Sequence, residues 1–170
     1  TRDPALARLD LQLIAMIDDA RARMHAEGTQ VDARVLLQGY SASGMFANRF
    51  TALHPQRVRA ATIGSPGGWP IAPVAKVGVA ALPYPSGIAD LQAHTGKSFD
   101  AAAFARVPQL LNRGVADDND SLDFGDGWDK PMASEVDRLF GATPLARWKH
   151  AEALYAQAGA NARFELVPGV

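Results

Sequence analysis

Four short apolar runs alternate with helical segments along this chain, and this alternation constrains the fold more than any other feature. The runs cover residues 34–38, 58–63, 107–112 and 162–167. Strands that are apolar throughout are typical of a parallel sheet that is covered on both faces. The sequence therefore predicts an α/β fold, a three-layer sandwich of about four parallel strands flanked by helices.

Apolar residues at helical spacing predict the covering layers. We expect a first helix that is capped by Asp3, has Pro4 at its first position and ends near Gly28. Its buried stripe would be Leu6, Leu9, Leu13, Ile17, Ala20 and Met24. Further helices are expected over 42–53 and over 143–158, the latter capped by Thr143. The buried stripe of that last helix would be Leu145, Trp148, Ala151, Tyr155 and Ala158.

The proline-rich stretch between the second and third strands predicts a cap-like insertion at about 65–106. Within it, short helices are expected over 86–94 and 100–106. The whole chain, residues 1–170, has the size of a single domain.

Composition excludes several classes of protein. Seventeen basic and 18 acidic residues give a net charge of −1, which disfavours a nucleic-acid partner. The chain has no cysteine, so it has no disulfide, no thiolate zinc site and no cysteine nucleophile. No apolar run reaches the length of about 18 residues that a membrane-spanning helix needs.

The turn between the first strand and the second helix carries the most chemical information. It reads Gly39-Tyr40-Ser41-Ala42-Ser43-Gly44. A serine on a tight strand-to-helix turn is held above the sheet edge, and small neighbours are needed where strand and helix nearly touch. Gly39 and Ser41 match the G-x-S-x-G pattern, whereas the third small position is Ser43, followed by Gly44. The alternative is a glycine- and serine-rich turn that only caps the helix.

These residues resemble the nucleophile strand and elbow of the α/β-hydrolase family. The segment Ala52-Leu53-His54-Pro55 is similar to the end of that family's next helix. The segments 64–70 and 84–91 are similar to a bacterial subgroup related to secreted esterases and polyhydroxyalkanoate depolymerases. The resemblance implies that Ser41 is a nucleophile and that the backbone N–H of Ala42 is an oxyanion donor.

The resemblance also implies an acid in the loop after a later strand, commonly as G-x-x-D. Gly114 to Asp117 matches this pattern, so Asp117 is the first candidate, with Asp118 and Asp120 as alternatives. Six aspartates lie in this loop with no lysine or arginine among them: Asp117, Asp118, Asp120, Asp123, Asp126 and Asp129. The other readings are a solvated loop or a calcium loop, although the spacing does not fit an EF-hand.

The family's order of nucleophile, acid and histidine places the base after Asp117. His150 is the only histidine there, and it lies inside the predicted helix 143–158. We therefore expect the base just beyond Val170, and further strands and a second oxyanion donor before the elbow. On this interpretation the chain is the C-terminal part of an α/β-hydrolase.

The sequence thus predicts a serine hydrolase that cleaves small or polymeric carboxylic esters, with no cofactor and no metal. The isolated chain should be nearly inactive because it lacks the base. Tyr40, Pro66, Gly67 and Trp69 are candidate pocket residues, and the aromatic residues of the irregular stretches would line an acyl pocket or pack as core. Alternatives are a non-catalytic binding domain, an acyltransferase and a peptidase. The resemblance favours a secreted or periplasmic protein.

Overall fold

A computed structural model describes residues 8–124 and 128–169 of the chain, which divides into two compact units, residues 1–35 and 36–170. The first unit contains helix α1 (Leu9–Ala26). It begins later than predicted because Arg8 has a left-handed φ of 55°. Asp3, Pro4 and Leu6 lie outside the described residues. The predicted stripe is not buried, and Leu9 and Met24 are exposed.

The second unit is built on a four-stranded sheet with the strand order β1-β2-β5-β6. Its strands are β1 (Val35–Tyr40), β2 (Val58–Gly64), β5 (Gln109–Gly114) and β6 (Ala162–Val167), and the hairpin β3 (Lys76–Val77) and β4 (Ala80–Ala81) forms a separate small sheet. β5 pairs in parallel with β2 on one side and with β6 on the other. The predicted parallel α/β sheet is confirmed.

The helices that connect the strands along the chain flank this sheet. They are α2 (Ala42–Leu53), α3 (Leu91–Thr95), α4 (Ala101–Arg106), α5 (Lys130–Phe140) and α6 (Pro144–Gln157), with a short 3-10 turn at Pro55–Arg57. The Thr143 hydroxyl accepts a hydrogen bond from the N–H of Ala146, which confirms the predicted cap of α6. Within the described ranges, no helix is long and apolar enough to cross a membrane.

Three expectations about the elements were wrong, and two elements were not predicted. β1 lies at the edge of the sheet and is not fully buried, since Leu36 is 77% exposed. β5 begins after Pro108 and runs two residues further than predicted, because proline has no N–H for the ladder. Leu145 points to solvent instead of the core. Helix α5 was not predicted, and the same is true of the small β3–β4 hairpin.

The core lies between the irregular stretch and the last two helices. Trp69 stacks on Phe140 with ring centroids 4.2 Å apart, and its indole N–H donates to the carbonyl of Ser86. The buried members of this cluster are Trp69, Ala72, Leu82, Leu122, Trp128, Val136, Phe140, Ala151 and Leu154. Part of the predicted cap-like insertion is therefore core structure.

A buried polar bridge fixes α2 against α6. The side-chain amide of Asn48 donates to the Tyr155 hydroxyl at 2.8 Å, and its carbonyl accepts from the N–H of Ile71 at 2.8 Å. Burial raises the pKa of Tyr155, so its hydroxyl stays protonated. All three groups are buried, and each bond therefore satisfies a group that water cannot reach.

Removing the Tyr155 hydroxyl tests this bridge. Tyr155→Phe leaves the buried Asn48 amide with an unfilled donor, and we expect the free energy of unfolding to fall by about 1–3 kcal/mol. Urea unfolding followed by circular dichroism measures the loss. Gln157→Ala, an exposed change in the last turn of the same helix, should stay within about 0.5 kcal/mol; an equal loss in both variants would contradict the bridge.

Candidate active site at the ends of the strands

Ser41 joins β1 directly to α2, and its backbone is strained. Its φ is 57° and its ψ is −124°. For a residue with a side chain, such a conformation costs on the order of 1–3 kcal/mol and persists only where the surrounding structure enforces it. Its N–H donates to the carbonyl of Gly64 at the end of β2, 2.9 Å away. Ser41 makes no side-chain cap bond to α2, so capping does not explain this serine.

Two glycines permit the turn. A Cβ added at Gly39 would overlap the Ser43 carbonyl, and one at Gly44 would overlap the carbonyl oxygen of Gly64. The close approach of helix to strand therefore falls at Gly44. Our interpretation that Ser43 has to be small for this contact was wrong: its side chain is exposed, and its hydroxyl bonds the backbone N–H and carbonyl of Tyr40 at 3.0 and 2.8 Å.

A second strained residue lies at the same edge of the sheet. Ser65 follows β2 with a φ of 39°, and its N–H donates to the carbonyl of Asn112 in β5. Its hydroxyl is buried and has no hydrogen-bond partner in the part of the chain that the structure describes. The sequence did not predict Ser65, because the residue pattern of a strand does not reveal that the residue after the strand has a strained backbone.

The structure brings no histidine to the Ser41 hydroxyl, which has no hydrogen-bonded side chain within residues 8–124 and 128–169. His54 is buried at the far end of α2 against Phe50. His94 pairs with Asp90 at 3.0 Å. The exposed His150 of α6 lies against Phe140 of α5. His25 belongs to α1.

The loop after β5 carries the candidate acid Asp117, and a buried arginine binds the backbone of this loop. Arg113 is fully buried and donates to the backbone carbonyls of Asp117 and Asn119, at 3.0 and 2.9 Å from Nη2. Its Nη1 donates to the carbonyl of Gly67 at 2.8 Å. Burial lowers the pKa of Arg113, and Asp117 and Asp120 partly offset this. Arg113 thus joins the loop after β2 to the loop after β5.

The Asp117 carboxylate is held more loosely than this backbone. One oxygen accepts the N–H of Asn119 at 3.1 Å, and the other lies 3.5 Å from Arg113. The side chain keeps 20% of its exposure, and its contact with Arg113 is longer than a strong charged hydrogen bond.

The alternative acid Asp120 has a full set of partners. Its Oδ2 accepts from Arg147 at 2.7 Å, and its Oδ1 accepts the N–H of Leu122 at 3.1 Å. Arg147 is fully buried and also binds Asp137 of α5 and the carbonyls of Gly68 and Gly141. These contacts form an ion-pair network that anchors the loop after β5.

The remaining loop aspartates have separate positions. Asp118 and Asp123 are exposed, and Asp129 caps α5 by accepting the N–H of Met132. Asp126 lies outside the described residues. Among residues 8–124 and 128–169, no group of three or more acidic, histidine or cysteine side chains could hold a metal ion.

The candidate pocket residues are divided between surface and core. Tyr40 is exposed and its ring covers Gly64, and Gly67 is half-buried. Pro66 is buried, and Trp69 belongs to the core cluster. Of the aromatic residues in the irregular stretches, Phe99 packs on the buried Phe104, while Phe124 is exposed.

Comparison with known proteins supports the fold. No family model and no curated protein matches the chain. The solved structure of poly(aspartic acid) hydrolase-1 from Sphingomonas sp. KT-1 is similar, with a TM-score of 0.60 and 24% identity over 91% of this chain. Two variants of SOBER1 from Arabidopsis thaliana align at TM-scores of 0.41 and 0.44, with 15% and 17% identity over 95% of this chain.

The chain shares its fold with a hydrolase, as the α/β-hydrolase resemblance of the elbow implied. It spans about half the length of these solved chains, 54% of the first and 55% of the other two. The likeness to the first structure shows the fold alone.

Removing Arg147 should release the acid loop. Arg147→Met leaves the carboxylates of Asp120 and Asp137 without their buried cation, and we expect a loss of about 3–5 kcal/mol in the free energy of unfolding. Chemical denaturation measures it. The control Arg138→Met breaks only an exposed pair with Glu135 and should leave the midpoint unchanged. Equal midpoints for the two variants would show that the Arg147 network does not stabilise the fold.

Proposed function

We propose that this chain carries the nucleophile and the acid of a serine hydrolase that acts on carboxylic esters. The observation that carries the proposal is the strained backbone of Ser41, at the point where β1 passes into α2. A turn that served only to cap the helix would use the serine side chain and an unstrained backbone, and Ser41 does neither.

In this proposal the Ser41 hydroxyl attacks the ester carbonyl while a histidine accepts its proton. The tetrahedral oxyanion is stabilised by the N–H of Ala42, one of the first helical N–H groups, which have no partner within their helix. The alcohol leaves with the proton from the histidine, and an acyl-serine remains. Water then attacks the acyl-serine, which releases the carboxylic acid and regenerates free Ser41.

We assign the acid to Asp117, with Asp120 and Asp118 as the alternatives. The Asp117 carboxylate is engaged by one backbone N–H and by a 3.5 Å ion pair with Arg113, whereas Asp120 accepts from Arg147 at 2.7 Å and from the N–H of Leu122. A carboxylate that orients a histidine must accept its Nδ1–H, so an oxygen without a strong partner suits this role.

We propose that the histidine base comes from outside these 170 residues, because the histidines of the second unit lie in other surroundings. Tyr40 and Gly67 are proposed to border the substrate. The chain is proposed to be a single domain and a part of a longer hydrolase, and a secreted or periplasmic location goes with the resemblance to secreted esterases.

The name of the similar solved protein includes hydrolysis of poly(aspartic acid), which is a polymer. The bonds that join this polymer are amides, so the name favours the peptidase alternative, and polymeric as well as small esters stay among the proposed substrates because of the resemblance to esterases and depolymerases. A peptidase or an acyltransferase would use the same Ser41, because the acyl acceptor is chosen by the pocket and not by the nucleophile. The alternative from another class is a non-catalytic binding domain.

Labelling with a fluorophosphonate probe tests the proposal. We expect the 170-residue chain to label slowly at Ser41, and we expect added imidazole to accelerate the reaction several-fold by acting as the missing base. Intact mass and peptide mapping measure the extent and the position. Ser41→Ala should abolish the labelling, while Ser98→Ala, an exposed serine on the irregular stretch, should label like the wild type.

Rapid, stoichiometric labelling without imidazole would contradict the external base. A folded chain that does not label at Ser41 even with imidazole would favour the non-catalytic binding domain.

A further inference from the structure

Arg49 lies on α2 between two aromatic rings. Its guanidinium carbon is 5.6 Å from the centroid of the Trp128 ring and 6.0 Å from that of Tyr84. Arg49 follows Ser41 by eight residues on the same helix, which is about 12 Å along the axis. Both distances are within the range of cation–π contacts, which attract the guanidinium to the two rings.

The charge of Arg49 has no counter-ion in the described part of the chain. Its Nη2 is buried without a hydrogen-bond partner, although the side chain as a whole is half-buried and reachable from solvent. Burial lowers the pKa of Arg49, and the nearby Tyr84 partly offsets this. The two fully buried arginines, Arg113 and Arg147, are in contrast each bonded to several acceptors.

A second free donor lies beside it. Trp128 is 5% exposed, and its Nε1–H is buried with no partner in the described residues. The carboxylate that follows it in sequence, Asp129, is used to cap α5. Two buried donors on neighbouring side chains, one of them cationic, lower the stability of the fold unless an acceptor forms hydrogen bonds with them.

We propose that Arg49 and Trp128 form a binding site for a carboxylate group of a ligand. A planar guanidinium presents parallel N–H donors that match the two oxygens of a carboxylate, and the indole N–H adds a further donor. The cation–π contacts with the two rings restrain the guanidinium before the ligand arrives, which lowers the entropic cost of binding. The assignment goes beyond ester hydrolysis, because it names a ligand group away from Ser41.

If the proposed hydrolase activity holds, the carboxylate belongs to the substrate, and the ligand is an ester that carries an anionic group several bonds from its carbonyl. This second step rests on the proposed function. A free small carboxylate would use the same donors, so the experiment has one part for each source.

Binding is measured on the folded chain without any activity. Succinate is titrated while the indole N–H resonance of Trp128, assigned with Trp128→Phe, is followed by NMR. We expect a saturable downfield shift in the wild type and a loss of affinity of about tenfold or more in Arg49→Met. Arg49→Lys, which keeps the charge and loses the planar fork, should bind more weakly than the wild type. Arg138→Met, an exposed arginine, is the matched control and should bind like the wild type.

The same spectra report whether each variant is folded, and Arg49→Lys provides the test if Arg49→Met unfolds. A Trp128 resonance that does not respond to succinate, or that responds equally in the wild type and the Arg49 variants, would overturn the site.

The source of the carboxylate is tested separately. Monomethyl suberate, with one ester and one distant carboxylate, should slow fluorophosphonate labelling of Ser41 in the wild type and not in Arg49→Met. Acetate, which occupies only the Arg49 end, should not slow it. If Ser41 does not label at all, the proposed activity fails while the succinate titration still decides the site. If monomethyl suberate binds at Trp128 without slowing the labelling, the carboxylate is that of a free small ligand.

Discussion

The contact between the start of α2 and the end of β2 is the constraint on which the site depends. The N–H of Ser41 donates to the carbonyl of Gly64, and Gly44 lies so close to the same carbonyl that no side chain would fit. Strand and helix can meet this closely only if the residue between them takes a positive φ. The fold therefore places a strained serine at the carboxyl end of β1, and its side chain makes no cap bond to the helix that it begins.

Two buried arginines hold the loops that surround this serine. Arg113 joins the turn after β2 to the loop after β5, and Arg147 joins that loop to α5 and α6. Each guanidinium binds backbone carbonyls as well as carboxylates, so the loops are fixed mainly through their backbone. The Asp117 side chain keeps 20% of its exposure on a loop whose backbone Arg113 binds at two carbonyls.

The sequence predicted the sheet and the strand-to-helix turn at Ser41 because both depend on local patterns. The bounds of β6 agree with the structure, and Thr143 with Pro144 predicted the start of α6. Helix α5 carried a comparable signal, Asp129 as cap followed by Met132, Val136 and Phe140 at four-residue spacing, which the acidic loop concealed. The roles of Arg113, Arg147 and Arg49 could not be predicted, because their partners lie on elements that are distant in sequence.

The central claim is that strain at Ser41 is kept for chemistry and not for stability. The most direct test is the free energy of unfolding of Ser41→Gly, measured by chemical denaturation. Because Ser41 makes no cap bond and glycine adopts a positive φ without strain, we predict a gain of about 1 kcal/mol. Thr143→Gly removes a working cap from α6 at an ordinary φ and should lower stability. A Ser41→Gly variant that is less stable than the wild type would contradict the account.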